Sequence, residues 1–295
     1  ARDRGVRVLR PAGRPGGAGG TAWPPVGRRA PGRQRADELL VARGLAESRN
    51  QARALILAGQ VRSGDRLVDK AGMMLDSDAQ LSVLRRPRFV SRGGEKLAHA
   101  LDVFGVEVTE LVCADFGAST GGFTDVLLQR GAERVYAIDV GYGQIDYRLR
   151  QDPRVVVLER TNVRYLEQLP EPVDLVTIDV SFISLRLVLP AALRVMGPTG
   201  RCIPLIKPQF EAGRAQVGRG GVVRDPRVHE AVVRGVLLEA NQLGLVPVAL
   251  TRSPLTGPAG NVEFLALLER GRIDGPPIED LLAVVFAKGD SVRDA

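Results

Sequence analysis

The sequence is short of cysteine. Cys113 and Cys202 are the only two in 295 residues, far apart and each within an apolar, strand-like run. Two such thiols make neither a disulfide framework nor a zinc site; they read as buried, inert groups in a reducing compartment. Long apolar runs are missing too, since none reaches the roughly 18 residues that a membrane-spanning helix needs. The amino-terminal stretch is basic without a hydrophobic secretory segment, so the cytoplasm is the expected location. Lysine is confined to Lys70, Lys96, Lys207 and Lys288. The arginine bias, with abundant Ala, Gly and Val, reads as the mark of a GC-rich genome, which makes each remaining lysine informative.

Hydrophobic residues make up 44% of the chain, enough for a catalytic domain and one small extra domain. A formal charge of +7 and a pI near 10.0 point to a polyanionic partner. Residues 1–32 are rich in Gly, Pro and Arg, with Asp3 the only acid, and are expected to form a disordered basic tail.

Residues 33–84 read as a compact α+β module. Asp37 is placed to cap a short helix through Leu40, with Gly44 ending it. Ser48 with Gln51 makes a capping-box start for a second helix ending at Gly59. On that helix Arg49 and Arg53 lie four apart on one face. Short strands follow, with a turn at Ser63-Gly64-Asp65. Such a module is either a platform for an RNA backbone or a small domain with solvated arginines. The run Arg35-Ala-Asp-Glu-Leu-Leu, Gly44, Ser48-Arg49, Ala52, Ile56, Gly59 and Val61 resembles the S4-type RNA-binding domain. That resemblance implies RNA contacts by Arg35, Arg49 and Arg53.

After a linker over 85–91, residues 92–272 alternate strands and helices, as in a doubly wound, mostly parallel α/β sheet. Strands are predicted at Leu111–Phe116, Arg134–Asp139, Val155–Glu159, Asp174–Asp179, Arg201–Ile206, Leu245–Thr251 and Val262–Leu268. Helices are predicted at Gly122–Arg130, Ser184–Met196 and Pro226–Leu243, with Gly131 and Gly244 just beyond helix ends. No helical crossover separates the last two strands, so they should form a terminal antiparallel hairpin. This Rossmann-like pattern fits a class I methyltransferase better than a dinucleotide-binding domain. Residues 273–295 are read as a carboxyl-terminal extension.

The first strand of that sheet runs into Asp115-Phe-Gly-Ala-Ser-Thr-Gly-Gly-Phe-Thr124. Gly117, Gly121 and Gly122 let the backbone approach a ligand and expose helix N-terminal amides. Their spacing is neither the dinucleotide fingerprint nor a P-loop. Asp139, ending the next strand, can accept ribose hydroxyls of NAD or S-adenosylmethionine alike. Asp115 tips the balance, because a carboxylate there suits the ammonium of a methionine moiety. Ser119 and Phe123 belong to the same cofactor loop, and Asn162 is either an adenine contact or a turn residue.

Four charges stand where charge is unexpected: Lys96 before the first strand, Asp179 ending the fourth, Lys207 ending the fifth and Glu263 opening the last. Strand ends in an open α/β sheet line the ligand crevice. Asp179 and Lys207 should therefore face a reacting centre, or else form a structural ion pair. Lys207 is the candidate to orient and deprotonate a hydroxyl, with Asp179 and Lys96 setting its charge state and Glu263 holding the ribose or Lys96. Asp179 also counts among the cofactor-facing residues, and no metal is required.

Together these four resemble the Lys-Asp-Lys-Glu tetrad of FtsJ-like ribose methyltransferases. The stretches Ser91–Leu97, Asp115–Thr124, Asp139–Gln144, Thr177–Leu185 and Lys207–Gly213 resemble the TlyA family, also labelled hemolysin A. The resemblance implies S-adenosylmethionine-dependent 2′-O-methylation of a cytidine in ribosomal RNA, free or in subunits. It also implies a part in cofactor and RNA binding for the linker Arg86–Ser91, with Arg92 beside it an RNA-binding candidate. Gly218–Val223 is a candidate flap over substrate. Competing readings are a non-enzymatic RNA-binding or assembly factor, a membrane-lytic protein, and a dehydrogenase. The last fails on glycine spacing and on His99 and His229, which look incidental.

Overall fold

Contacts divide the chain into two units, Ala1–Arg86 and Pro87–Ala295. The structure, a computed structural model, describes residues 32–57, 59–83 and 88–286; the expected basic tail over 1–32 except Gly32, linker residues 85–87 and residues 287–295 of the carboxyl-terminal extension lie outside them.

In the first unit β1 (Arg33–Arg35) leads into α1 (Ala36–Ala42) and α2 (Arg49–Leu57). Four strands follow, β2 (Val61–Ser63), β3 (Arg66–Leu67), β4 (Met74–Asp76) and β5 (Leu81–Val83). They form a three-stranded sheet in the order β3-β2-β5 and a β1-β4 ladder. Leu40, Ala52, Ile56 and Val61 make its small core. Ser48 caps α2 as expected, its Oγ accepting the Gln51 N–H at 3.2 Å. Asp37 does not cap α1. Arg35 holds the N-cap position without a side-chain cap, and Asp37 lies inside the first turn. Its fully buried carboxylate is occupied by three arginines instead.

The second unit opens with α3 (Gly93–Phe104) and alternates as β6 (Val112–Phe116), α4 (Gly122–Gln129), β7 (Arg134–Ile138), α5 (Tyr147–Gln151), β8 (Val155–Leu158) and β9 (Val173–Ile178). It continues with α6 (Leu189–Val195), β10 (Met196–Ile206), α7 (Pro208–Glu211), α8 (Pro226–Gln242), β11 (Leu245–Arg252), β12 (Phe264–Arg270) and α9 (Ile278–Phe286). The seven strands stand in the order β11-β12-β10-β9-β6-β7-β8. β6 to β10 run parallel to one another, and β12 runs antiparallel to both β10 and β11. Side chains alternate across the sheet. Cys113, Val135 and Leu175 pack on one face, and Ala114, Tyr136 and Val176 on the other. Both faces are covered, as a parallel sheet requires.

Two expectations need correction. The helix over Ser184–Met196 is broken into a 3₁₀ turn, Leu185–Leu187, and α6. Pro190 has no N–H to offer Arg186, so it stands in the first turn of a new helix instead. β12 begins at Phe264, leaving Val262 and Glu263 in the preceding loop. Within the carboxyl-terminal extension, α9 buries Leu281 and Leu282 in the main core.

Candidate active site

Strand register decides which polar side chains reach the crevice. Phe116 is level with Ile138 on one side and Ile178 on the other, so Gly117, Asp139 and Asp179 leave the sheet together at its carboxyl edge. Ile206 pairs antiparallel with Phe264, which brings Lys207 and Glu263, one residue further, to the same edge. Lys96 comes from the first turns of α3.

A cavity of about 460 Å³ holds Lys96, Asp179, Lys207 and Glu263 in its wall, with Gly117 and Phe123. Lys96 and Glu263 form a buried ion pair. Lys207 Nζ lies 2.6 Å from Asp179 Oδ1 and donates to Val180 O at 2.9 Å and Ser181 Oγ at 3.0 Å. Three acceptors meet the three N–H bonds of an ammonium, so a substrate hydroxyl reaches this nitrogen only by displacing one of them.

A second cavity, about 770 Å³, is lined by Asp139, Asn162, Arg164 and Phe182. It shares Gly117, Ser119, Asp179 and Ser181 with the first. Asp139 Oδ2 accepts the Ser119 N–H at 2.8 Å and Oδ1 that of Gly141 at 2.7 Å. A carboxylate oxygen has two lone pairs, so both retain capacity for a diol. Asn162 is at once a cavity residue and the cap of the 3₁₀ turn Val163–Tyr165, accepting the Arg164 N–H at 3.1 Å. Gly117 has φ +86, and a Cβ there would lie 2.6 Å from Asp179 O. Only glycine lets the loop close on β9 here. A glycine-lined turn opening onto a diol-accepting acid fits a nucleoside with a charged tail.

Two predicted cofactor residues have other work. Asp115 is fully buried in β6 and lines neither cavity. Its Oδ2 accepts from Thr124 N at 2.9 Å and Thr124 Oγ1 at 2.7 Å, and its Oδ1 from Thr177 Oγ1 at 3.2 Å. It ties the start of α4 to the sheet, and burial pushes its carboxyl up to about 7. Gly121 also stands off the cavities; a Cβ there would meet Leu149 Cδ1 at 2.2 Å, so it serves packing. Gly122 lines the first cavity and packs against the linker, its absent Cβ leaving room for Ser91 Oγ. Arg92 is exposed at the rim of the same cavity. Arg35, Arg49 and Arg53 belong to the first unit.

The described part of the linker is fastened to α4. Val90 N donates to Asp125 Oδ2 at 2.8 Å, Gln129 Nε2 donates to Arg88 O at 3.0 Å, and Phe89 is buried. The Gly218–Val223 loop is pinned at its end: Val223 N donates to Asn261 Oδ1 at 3.0 Å, and His229 Nε2 lies 2.9 Å from Val223 O. His229 is thus a structural clasp. Sequence reasoning missed Ser181 and Phe182. Phe182 is 91% exposed at φ +64, its ring 5.0 Å from that of Phe210. A bulky residue held at positive φ in a cavity wall makes it a candidate site residue, a strain that one sequence does not display. Among the described residues there is no metal-ligating cluster of three or more His, Cys, Asp or Glu, and no helix long and apolar enough to cross a membrane.

The FtsJ-like methyltransferase profile matches residues 89–270, and the S4 domain profile matches residues 34–81. YqxC of Bacillus subtilis, provisionally named an rRNA methyltransferase, is 50% identical over 240 residues, covering 79% of this chain and 84% of its own. The Mycobacterium tuberculosis protein named 16S/23S rRNA (cytidine-2′-O)-methyltransferase TlyA is 51% identical over 240 residues, covering 80% of this chain and 90% of its own. A solved structure from Streptococcus thermophilus, provisionally named a hemolysin, superposes with a TM-score of 0.67 at 42% identity, covering 88% of this chain and 96% of its own. With an S4 domain ahead of a crevice built at the carboxyl edge of a mostly parallel sheet, this chain belongs to the FtsJ-like methyltransferases, in the branch that includes TlyA.

Proposed function

We propose that the protein methylates the 2′-hydroxyl of a cytidine ribose in ribosomal RNA, with S-adenosylmethionine as donor, in the cytoplasm. The observation that carries this reading is the convergence of Lys96, Asp179, Lys207 and Glu263 on one cavity wall beside the glycine turn. The substrate class is that named for TlyA of Mycobacterium tuberculosis.

S-adenosylmethionine supplies a methyl group on a sulfonium that carries its own leaving group. Asp139 and Asn162 would hold its nucleoside in the larger cavity, with the turn from Gly117 to Gly122 beside its amino-acid end. The chain's task is then to align a ribose hydroxyl and accept its proton. For the transfer the hydroxyl takes the place of one of the three acceptors around Lys207 Nζ, the nitrogen as an amine receives the hydroxyl proton, and the ammonium that results is held by the two acceptors that remain among Asp179, Val180 O and Ser181 Oγ. Glu263 holds Lys96, which keeps a second cation at the wall without crowding Lys207.

Transfer of tritiated methyl from S-adenosylmethionine to ribosomal RNAs and isolated subunits tests this directly, with Lys207→Ala alongside. Label is expected in RNA as an alkali-resistant dinucleotide and lost by a factor on the order of 10²–10⁴ in the variant. Folded, cofactor-binding protein that labels no RNA would overturn the reading and favour a non-enzymatic RNA-binding role.

A further inference from the structure

The first unit carries two neighbouring acids with opposite surroundings. Asp37 is fully buried and gathers three guanidinium groups. Arg35 binds it with two N–H groups, Nε to Oδ1 at 2.9 Å and Nη2 to Oδ2 at 3.0 Å. Arg49 Nη2 and Arg53 Nε reach Oδ2 at 3.4 and 3.3 Å. Those arginine side chains remain 39%, 49% and 50% exposed. A guanidinium has five N–H donors, and each spends at most two on Asp37. Glu38 is the contrasting neighbour. Its side chain is 45% exposed, and Oε1 lies 3.2 Å from Arg49 Nη2 and 3.9 Å from Arg35 Nε, on the solvent side of the cluster.

Formal charge on this cluster is small, three cations against two acids. Its capacity for an anion therefore comes from placement rather than from net charge. Long arginine side chains lose rotamer freedom on binding, and a residue that fixes them beforehand removes that cost. A phosphate oxygen entering the cluster would meet N–H groups already turned together, and would compete with Glu38 for Arg49.

We propose that Asp37 is a positioning residue that holds Arg35, Arg49 and Arg53 as a preassembled phosphate-binding set for RNA, and that Glu38 competes with the RNA backbone for the same donors. This rests on the reading that the face binds RNA. Asp37→Asn and Glu38→Gln each add one unit of positive charge, so a surface acting only through charge gains affinity from both. Preassembly makes the two diverge.

The test is RNA affinity of the full chain, measured with end-labelled ribosomal RNA over a series of salt concentrations, together with methylation kinetics. Asp37→Asn is expected to weaken binding about tenfold, to raise KM for RNA at unchanged kcat, and to flatten the dependence of log K on log salt, since fewer phosphates are held. Glu38→Gln is expected to tighten binding several-fold. Equal tightening by both overturns the inference. Should Asp37→Asn fail to fold, Arg53→Lys decides, because it keeps the charge and loses the held fork: weaker binding supports preassembly, and unchanged binding overturns it. A variant with all three arginines changed to Gln separates the two levels. If it binds RNA as well as the unaltered chain, the RNA-binding reading of this face fails; if it loses binding while Asp37→Asn tightens it, only the inference fails.

Discussion

Asp115 and Asp179 are the same residue type at the ends of adjacent strands, and two positions of register separate their roles. Asp179 lies level with Gly117, beyond the sheet, and meets Lys207. Asp115 is still inside it, opposite Thr177, and meets only hydroxyl and amide donors. Burial, partly offset by those hydrogen bonds, raises its carboxyl from 3.8 to about 7. The folded chain therefore keeps a proton that the unfolded chain releases between pH 4 and 7. Stability from this group is fully present below the unfolded value and is lost as pH rises through that window, at up to about 1.4 kcal/mol per pH unit. Asp115→Asn should remove this slope, because an amide can accept from Thr124 and donate to Thr177 Oγ1 without titrating. Urea unfolding at pH 5 and pH 8 checks it: the unaltered chain should lose more stability between the two than the variant, and matching profiles would refute a titrating Asp115.

At the scale of elements, the cofactor turn depends on what packs behind it as much as on what it faces. Gly121, at the N-cap of α4, has φ +95 and no room for a Cβ beside Leu149. Gly121→Ala is expected to destabilise the protein by about 1–3 kcal/mol and to weaken cofactor binding. Adding Leu149→Ala should recover the steric part and leave the backbone part, which thermal melting and cofactor titration of the single and double variants would separate. This double role explains what the sequence could and could not disclose. The strand positions, the terminal hairpin, the glycine turn and the charges at strand ends follow from periodicity and spacing, which are local properties. The side of a turn on which a glycine is needed, and whether a strand-end acid points into a crevice or under a helix, depend on register with neighbours distant in sequence. Asp115 and Gly121 were therefore legible as important but not in kind. α9 was missed although Ile278, Leu281, Leu282 and Val285 have helical spacing, because one short apolar stripe after a polar turn resembles any chain end.

For the whole molecule, charge and chemistry are expected to separate under salt. RNA contacts made by arginine release counterions, so affinity for RNA should fall steeply with ionic strength. Cofactor affinity in the crevice, which rests on fewer exposed charges, should change less. Titrating both ligands between 50 and 300 mM salt (about the range over which such slopes are read) distinguishes this from a cofactor-limited loss, in which both would weaken together. The sheet order adds a constraint in time. β12 lies between β10 and β11, so the strand made last is placed inside the sheet rather than at its end. Until the residues from Phe264 onward have been made, the outer edge of β10 has no neighbour, β11 has nothing to pair against, and Lys96 waits for Glu263. An open edge of this kind invites pairing with other chains, and a message cut short before this strand would yield a chain that is sticky and inert rather than merely shorter. The crevice is incomplete until Glu263 and the strand after it have been made, so no nascent chain can act before that point.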